Sequence, residues 1–193
     1  MPNAIPGSWR GVVNRYHQSP AEVQAYFESL PSLIEAYEWE VSLGFIFIRV
    51  EKALNTMLYC GARKLHRANA EIARNFVDSH HMTRKEFRRL FANIFGRDIP
   101  AETTATLAEA EKVRDKVIHG KTVGDADFRK ATVRVIEYAE AMNNLVHEVA
   151  AFKPFTIDLR GFVGRGEALD KSTTKWLMRG LGFITKQPSE AEA

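Results

Sequence analysis

The most regular pattern of apolar and polar positions in this chain lies between Asp125 and Ala150. Apolar side chains recur there in alternating steps of three and four residues over three heptads: Phe128, Ala131, Val135, Tyr138, Met142, Leu145 and Val149. This spacing places them on one side of an α-helix and predicts a long amphipathic helix. Asp125 or Asp127 is expected to cap its start, and Pro154 is expected to follow its end.

Several shorter helices are predicted from their start and stop signals. Ser19, Pro20 and Glu22 give a cap, a proline at the first helical position and a capping-box acid, so a helix should begin there. A helix is expected over residues 70–79. Another should follow Thr83, whose capping-box partner is Glu86, and end at Gly96. Residues 101–118, rich in Ala, Glu, Leu and Lys, predict one more.

The segment that follows Pro31 is predicted to form one long central helix reaching about Arg67. Its centre, residues 41–50, is a continuous apolar run that would also suit a buried strand. The flanking residues favour helix, and no breaker interrupts them. The fold class is therefore predicted to be all-α, an antiparallel helical bundle over residues 19–152 with an N-terminal extension over residues 1–18.

Residues 153–193 differ in character and are predicted to form a short irregular appendage. Residues 160–166 contain three glycines and indicate a loop or a short hairpin. Aromatic residues alternate with basic ones along this segment. They would either stack on bases and hold phosphates or simply pack the segment onto the bundle, and the sequence favours packing. The last six residues, 188–193, are expected to be disordered.

Composition points to an ordinary globular protein. Of the 193 residues, 45% are apolar and 26% are charged, which suits one domain with a single core. The single cysteine, Cys60, excludes an internal disulfide framework and favours a reducing compartment. The chain begins without a basic and apolar leader, and its longest apolar run is too short to span a bilayer. A cytoplasmic location without membrane partners is expected.

Positive charge is concentrated in one part of the chain. Residues 61–100 carry 9 basic and 4 acidic groups, a balance of +5, whereas the whole chain carries +3. The tightest cluster contains Arg84, Lys85, Arg88 and Arg89. Two interpretations of these four residues are open. They bind the phosphates of a nucleic acid, or they belong to an ordinary helix face exposed to solvent.

The chemically most informative residues are Arg114 and His119, at the end of the helix predicted over residues 101–118. A histidine transfers protons near neutral pH, and a guanidinium holds a phosphate and opposes developing negative charge. Arg114 falls within the apolar arc of its helix, so it requires a partner. Gly120 is expected to adopt a left-handed conformation and end the helix. The alternative is structural: an acidic neighbour satisfies Arg114, and His119 caps the helix.

This segment resembles the signature of the HEPN superfamily, an all-helical group that includes many RNases. The signature is an Arg, a polar residue, a few mainly apolar residues, a His and often a Gly, matched here by Arg114, Asp115, Lys116-Val117-Ile118, His119 and Gly120. The resemblance extends loosely over residues 20–152. Arg74 and His80 have a similar spacing, but the apolar pair before the histidine and the glycine after it are missing.

The resemblance implies a metal-independent endoribonuclease without a cofactor. His119 would transfer protons, Arg114 would stabilise charge on the phosphate, and Asp115 would orient one of them. Lys116 and Lys121, with the cluster at residues 84–89, are the expected RNA contacts. HEPN nucleases characteristically form homodimers with a composite site, and they commonly serve as toxins with a cognate antitoxin or in defence against phage. Two alternatives remain open: a HEPN-like module that binds RNA or a nucleotide without cleaving it, and a helical interaction subunit.

Overall fold

The computed structural model describes residues 6–80, 82–159, 162–163 and 166–183. Every regular element within these residues is a helix, so the predicted all-α class is confirmed. In chain order the helices are α1 Trp9–His17, α2 Ala21–Tyr26, α3 Leu30–Ala36, α4 Trp39–His66, α5 Ala70–Ser79, α6 Arg84–Phe95, α7 Ala101–Ile118, α8 Asp125–Ala150 and α9 Lys171–Gly180.

Most helices with strong local signals form where the sequence predicts them. The helix α2 is a partial exception: it begins at Ala21, but its N-cap is Pro20 and not Ser19, and no side chain caps it. The helices α5 and α7 have the predicted bounds. At the start of α6 the Thr83 hydroxyl accepts a hydrogen bond from the Glu86 amide (3.2 Å), and the Glu86 carboxylate accepts one from the Thr83 amide (2.9 Å). This is the predicted capping box. Gly96 ends α6 in a left-handed conformation, with φ of 66°.

The predicted long central helix is instead two helices, and that prediction was wrong. Tyr37 is extended, with φ of −134° and ψ of 166°, and it separates α3 from α4. Ile34 and Leu43 are both buried. On one straight helix these two side chains would point in directions about 180° apart, so the break allows both to enter the core. Residues 41–50 are helical, as predicted.

The two ends of the chain contain helices that were not predicted. Ser8 caps α1, where Val12 and Tyr16 are buried one turn apart. Asp170 caps α9 by accepting hydrogen bonds from the Ser172 and Thr173 amides (2.8 and 2.9 Å). The appendage therefore contains a ten-residue helix. Most of the glycine-rich stretch 160–166 and all of residues 188–193 lie outside the described residues.

The chain divides into two compact units. The first comprises residues 1–53, 100–148 and 153–159, and the second comprises residues 54–99, 149–152 and 160–193.

The helix α8 begins at Asp125, so Asp125 and Asp127 lie in its first turn rather than before it. Its apolar seam from Phe128 to Leu145 is buried in the first unit, where Tyr138 meets Phe155 edge to face. The seam is therefore used within the chain.

Candidate functional site

The end of α7 forms a Schellman motif that fixes the position of His119. Gly120 has the predicted left-handed conformation, with φ of 67°. Its amide donates to the Val117 carbonyl (2.9 Å), and the Lys121 amide donates to the Lys116 carbonyl (2.9 Å). The His119 amide donates to the Asp115 carbonyl (3.1 Å), so the helical winding continues through His119.

Arg114 is surrounded by carboxylates. Its Nε and Nη2 donate to Asp115 Oδ1 (3.0 and 2.8 Å). Its Nη1 lies 3.9 Å from Glu51 Oε1 and 3.8 Å from Glu111 Oε1, distances longer than hydrogen bonds. The guanidinium carbon lies 4.8 Å from the centroid of the Phe47 ring. Arg114 therefore has the acidic neighbours that the structural alternative requires, although a quarter of its side chain (25%) stays exposed.

Asp115 lies between Arg114 and His119 around the helix axis. At about 100° per residue, Asp115 is about 100° and His119 about 140° from Arg114 in the same sense of rotation. The hydrogen bond to the Asp115 carboxylate holds the Arg114 guanidinium on the side of the helix that faces Asp115. The imidazole of His119 is exposed, and no hydrogen bond of its ring is recorded within the described part of the chain. The three residues form a row across the exposed face of the last turn of α7.

An apolar hollow borders Arg114 in the first unit. It has a volume of about 340 Å³ and is lined by residues of α4 and α7: Glu40, Leu43, Gly44, Phe47, Ile48, Glu51, Arg114, Val117 and Ile118. Ile48 and Ile118 are each 69% exposed, and Val41 is 48% exposed. Arg114 lies in the apolar arc of α7 that the sequence predicts. Because Ile118 in this arc is exposed, the arc is partly open to solvent. Glu51 and Phe47 were not among the predicted site residues, and no local sequence signal connects them to Arg114.

The predicted basic cluster lies on α6, in the second unit. Lys85 and Arg88 are exposed, and Arg84 is half-buried. Arg89 Nη2 donates to the Gly182 carbonyl (3.0 Å), so this arginine also fixes the segment after α9. The other predicted RNA contacts, Lys116 and Lys121, belong to the first unit and are exposed.

The second Arg–His pair contributes to packing. The Arg74 guanidinium carbon lies 4.0 Å from the centroid of the Tyr59 ring, and the ring of His80 meets that of Phe183 edge to face at 5.6 Å. Cys60 is buried, and burial raises the pKa of its thiol to about 12, so it is not a nucleophile at neutral pH.

The aromatic residues of the C-terminal segment divide between packing and exposure. Phe155 and Phe183 are buried, as the packing interpretation predicts. Trp176 on α9 is 76% exposed, next to Lys175. Within the described residues, no three His, Cys, Asp or Glu side chains are grouped to hold a metal ion.

The described residues thus define an all-helical protein with an Arg–Asp–His row at a helix end. None of its described helices has the length and apolar character needed to cross a membrane. Comparisons with family models, with curated proteins and with solved structures give no match.

Proposed function

We propose that this protein is a metal-independent endoribonuclease of the HEPN type, with Arg114, Asp115 and His119 in its active site. One observation carries the proposal. Asp115 holds the Arg114 guanidinium by two hydrogen bonds on the side of α7 that leads to His119. An arginine held by a carboxylate, at the same helix end as an exposed histidine, supplies the charge stabilisation and the proton-transfer group that phosphodiester cleavage uses.

In the proposed reaction, the 2′-hydroxyl of RNA attacks the adjacent phosphorus. The 2′-oxygen forms a bond to phosphorus while the bond from phosphorus to the 5′-oxygen breaks. One histidine accepts the proton of the 2′-hydroxyl, and a second delivers a proton to the departing 5′-oxygen. The products are a 2′,3′-cyclic phosphate and a 5′-hydroxyl.

Arg114 can serve this reaction with its Nη1 group. Asp115 occupies Nε and Nη2, whereas Nη1 makes two long ion pairs, with Glu51 and Glu111. A phosphate that approaches Nη1 must displace these ion pairs, which are weak because they are long and partly exposed. Asp115 is thus a positioning residue, and Arg114 and His119 are the catalytic ones.

The requirement for two histidines supports a homodimer with its active site on the two-fold axis. One chain supplies a single His119, whereas two chains supply both a base and an acid. The exposed apolar residues Ile48 and Ile118 line the hollow beside Arg114 and form the surface we assign to this contact. A role as a toxin or defence effector, a cognate antitoxin and a cytoplasmic location belong to the same proposal and follow from the HEPN resemblance.

Incubation of purified protein with total RNA tests the activity. We expect cleavage with and without EDTA, 2′,3′-cyclic phosphate ends, and loss of cleavage in Arg114→Ala and His119→Ala. Both variants should keep the helical circular dichroism and the melting temperature nearly unchanged, because neither side chain is in the core. Arg74→Ala, matched in chemistry, should cleave like wild type. Wild-type activity in the Arg114 or His119 variant, or activity that needs added metal, would rule out this site.

A helical interaction subunit is the second candidate. The exposure of Ile48 and Ile118 beside the apolar hollow favours it, since such a surface suits a protein contact whether or not RNA is cleaved. Intact RNA in every arm of the assay, with self-association retained, would favour this candidate over the enzyme.

A further inference from the structure

A second hollow lies between α7 and α8 in the first unit, and its walls are charged. It has a volume of about 340 Å³ and is lined by one stripe from each helix: Glu109, Lys112, Val113 and Lys116 from α7, and Asp127, Lys130, Ala131 and Arg134 from α8. Within each stripe the residues are spaced i, i+3, i+4 and i+7, so each lies along one helix face. The buried Val113 and Ala131 form the floor between the charged walls.

The charges in this hollow do not balance. Four cations face two carboxylates. Glu109 binds both Lys130 and Arg134, each at 3.2 Å, and the hydrogen bond from Lys130 holds the pKa of Glu109 below its usual range. Arg134 is also bound by Glu137 outside the hollow (2.8 Å).

The two lysines of α7 are the available donors. Lys116 approaches Asp127 only to 4.0 Å, and Lys112 has no ion pair recorded within the described part of the chain. Both lysines are exposed at the rim of the hollow. Lys112 is therefore available to a ligand that carries negative charge, and Lys116 would exchange only one long ion pair for such a ligand.

The position of His119 connects this hollow to the candidate active site. His119 follows Lys116 by three residues and Lys112 by seven, so at about 100° per residue it lies within about 60° of both. Around α7 the order is Arg114, Asp115, His119, Lys112 and Lys116. A chain that crosses the exposed face of α7 would meet the proposed catalytic residues first and the hollow next.

We infer that the hollow between α7 and α8 binds a backbone phosphate of single-stranded RNA, held by Lys112 and Lys116 and flanking the phosphate that is cleaved. Lysine ammonium groups bind phosphate oxygens without reading sequence, so this interaction would set the position of the strand and not its sequence preference. The inference rests on the proposed function for the identity of the ligand. Its test can nevertheless be separated from cleavage.

The experiment uses a fluorescent single-stranded 2′-O-methyl RNA oligonucleotide, which lacks the attacking hydroxyl and cannot be cleaved. Its dissociation constant is measured by anisotropy over a series of salt concentrations. In Lys112→Gln and Lys116→Gln we expect binding about tenfold weaker at low salt. The slope of log K against log salt should become shallower by about 0.7 for each lysine that no longer neutralises a phosphate. Glu109→Gln removes a competing carboxylate and should strengthen binding.

Lys52→Gln is the matched control, since Lys52 is an exposed lysine of the first unit on α4 and lies outside the hollow. It should bind like wild type. Equal affinities for the Lys112, Lys116 and Lys52 variants would overturn the inference even if RNA is cleaved, and so would an absence of binding by wild type. If the affinities follow the expected order but wild type cleaves no RNA, the result supports the phosphate site and rejects the proposed nuclease activity.

Discussion

At the scale of single residues, the ion pair between Arg15 of α1 and Glu140 of α8 is notable because both charges are largely removed from solvent. Two guanidinium nitrogens donate to the two carboxylate oxygens (2.9 and 2.6 Å), and the side chains are only 12% and 22% exposed. The hydrogen bonding to Glu140 is the main reason that the pKa of Arg15 is raised. Such a pair contributes little net free energy, but either charge alone is costly to bury.

Glu140→Leu should therefore lower the free energy of unfolding by about 1–3 kcal/mol, since it leaves the partly buried Arg15 without its main hydrogen-bonding partner. The double variant Arg15→Met with Glu140→Leu should lose much less, because no charge remains. Chemical denaturation of Arg15→Met, Glu140→Leu and the double variant measures these values. A double variant as unstable as the sum of the two single variants would show that the side chains do not act as a pair.

The surface pair of Glu22 and Lys153 makes stability depend on pH. Lys153 Nζ donates to Glu22 Oε1 (2.5 Å), and this hydrogen bond is the main cause that lowers the pKa of Glu22. A lowered pKa in the folded state contributes stability above the unfolded pKa, and this contribution is lost as pH falls through the folded value.

Glu22→Gln should therefore be less stable than wild type at pH 7, by up to about 1 kcal/mol because the pair is partly exposed. The difference should vanish in strong acid, below the lowered pKa of Glu22, where wild type is also uncharged at this position. Unfolding curves recorded from neutral pH to strong acid measure the difference. A constant difference at every pH would assign the effect to packing and not to charge.

At the scale of helices, the sequence predicted what local signals determine. The bounds of α5 and α7 and the capping box of α6 depend on residues within a few positions of each other. The break at Tyr37 could not be predicted in this way, because it is set by the need to bury both Ile34 and Leu43. The candidate site shows the same division. Gly120 predicted the end of α7, which determines the position of His119. The interactions of Arg114 with Glu51 and Phe47 could not be predicted, because they depend on how α4 packs against α7.

Two glycines of α4 should respond to the same substitution with opposite signs. A Cβ at Gly61 would lie 2.6 Å from Phe95 Cζ and 2.7 Å from Ile94 Cγ2, whereas a Cβ at Gly44 would meet nothing within 4 Å. Gly61→Ala should destabilise the protein by about 1–3 kcal/mol through overpacking. Gly44→Ala, in the same helix, should stabilise it by about 0.5–1 kcal/mol. Thermal unfolding measures both changes, and a gain of stability in Gly61→Ala would show that α6 can move away from α4.

At the scale of the whole molecule, the surface available for self-association is restricted. The heptad-like seam of α8 is the sequence feature most typical of a helical interface, yet Phe128, Val135 and Met142 are at most 2% exposed within the chain. The exposed apolar residues of the first unit that adjoin the candidate site are Ile48 and Ile118. We therefore expect a dimer that shares the active site to form through the exposed apolar residues of α4 and α7, and not through the apolar seam of α8.

Light scattering on the purified protein at micromolar concentration should consequently give about twice the chain mass of 21.9 kDa. Ile48→Asp places a charge at the centre of the proposed contact and should give the mass of a single chain, with loss of RNA cleavage because each chain then offers only one His119. Ile157→Asp is the control, since Ile157 is 65% exposed in the first unit but does not line the hollow. This variant should leave both mass and cleavage unchanged.

The specific activity of wild type should rise with protein concentration over the range in which the dimer forms. A wild-type protein that is monomeric and cleaves RNA at a rate independent of its concentration would exclude a shared site, even if Arg114 and His119 were both essential.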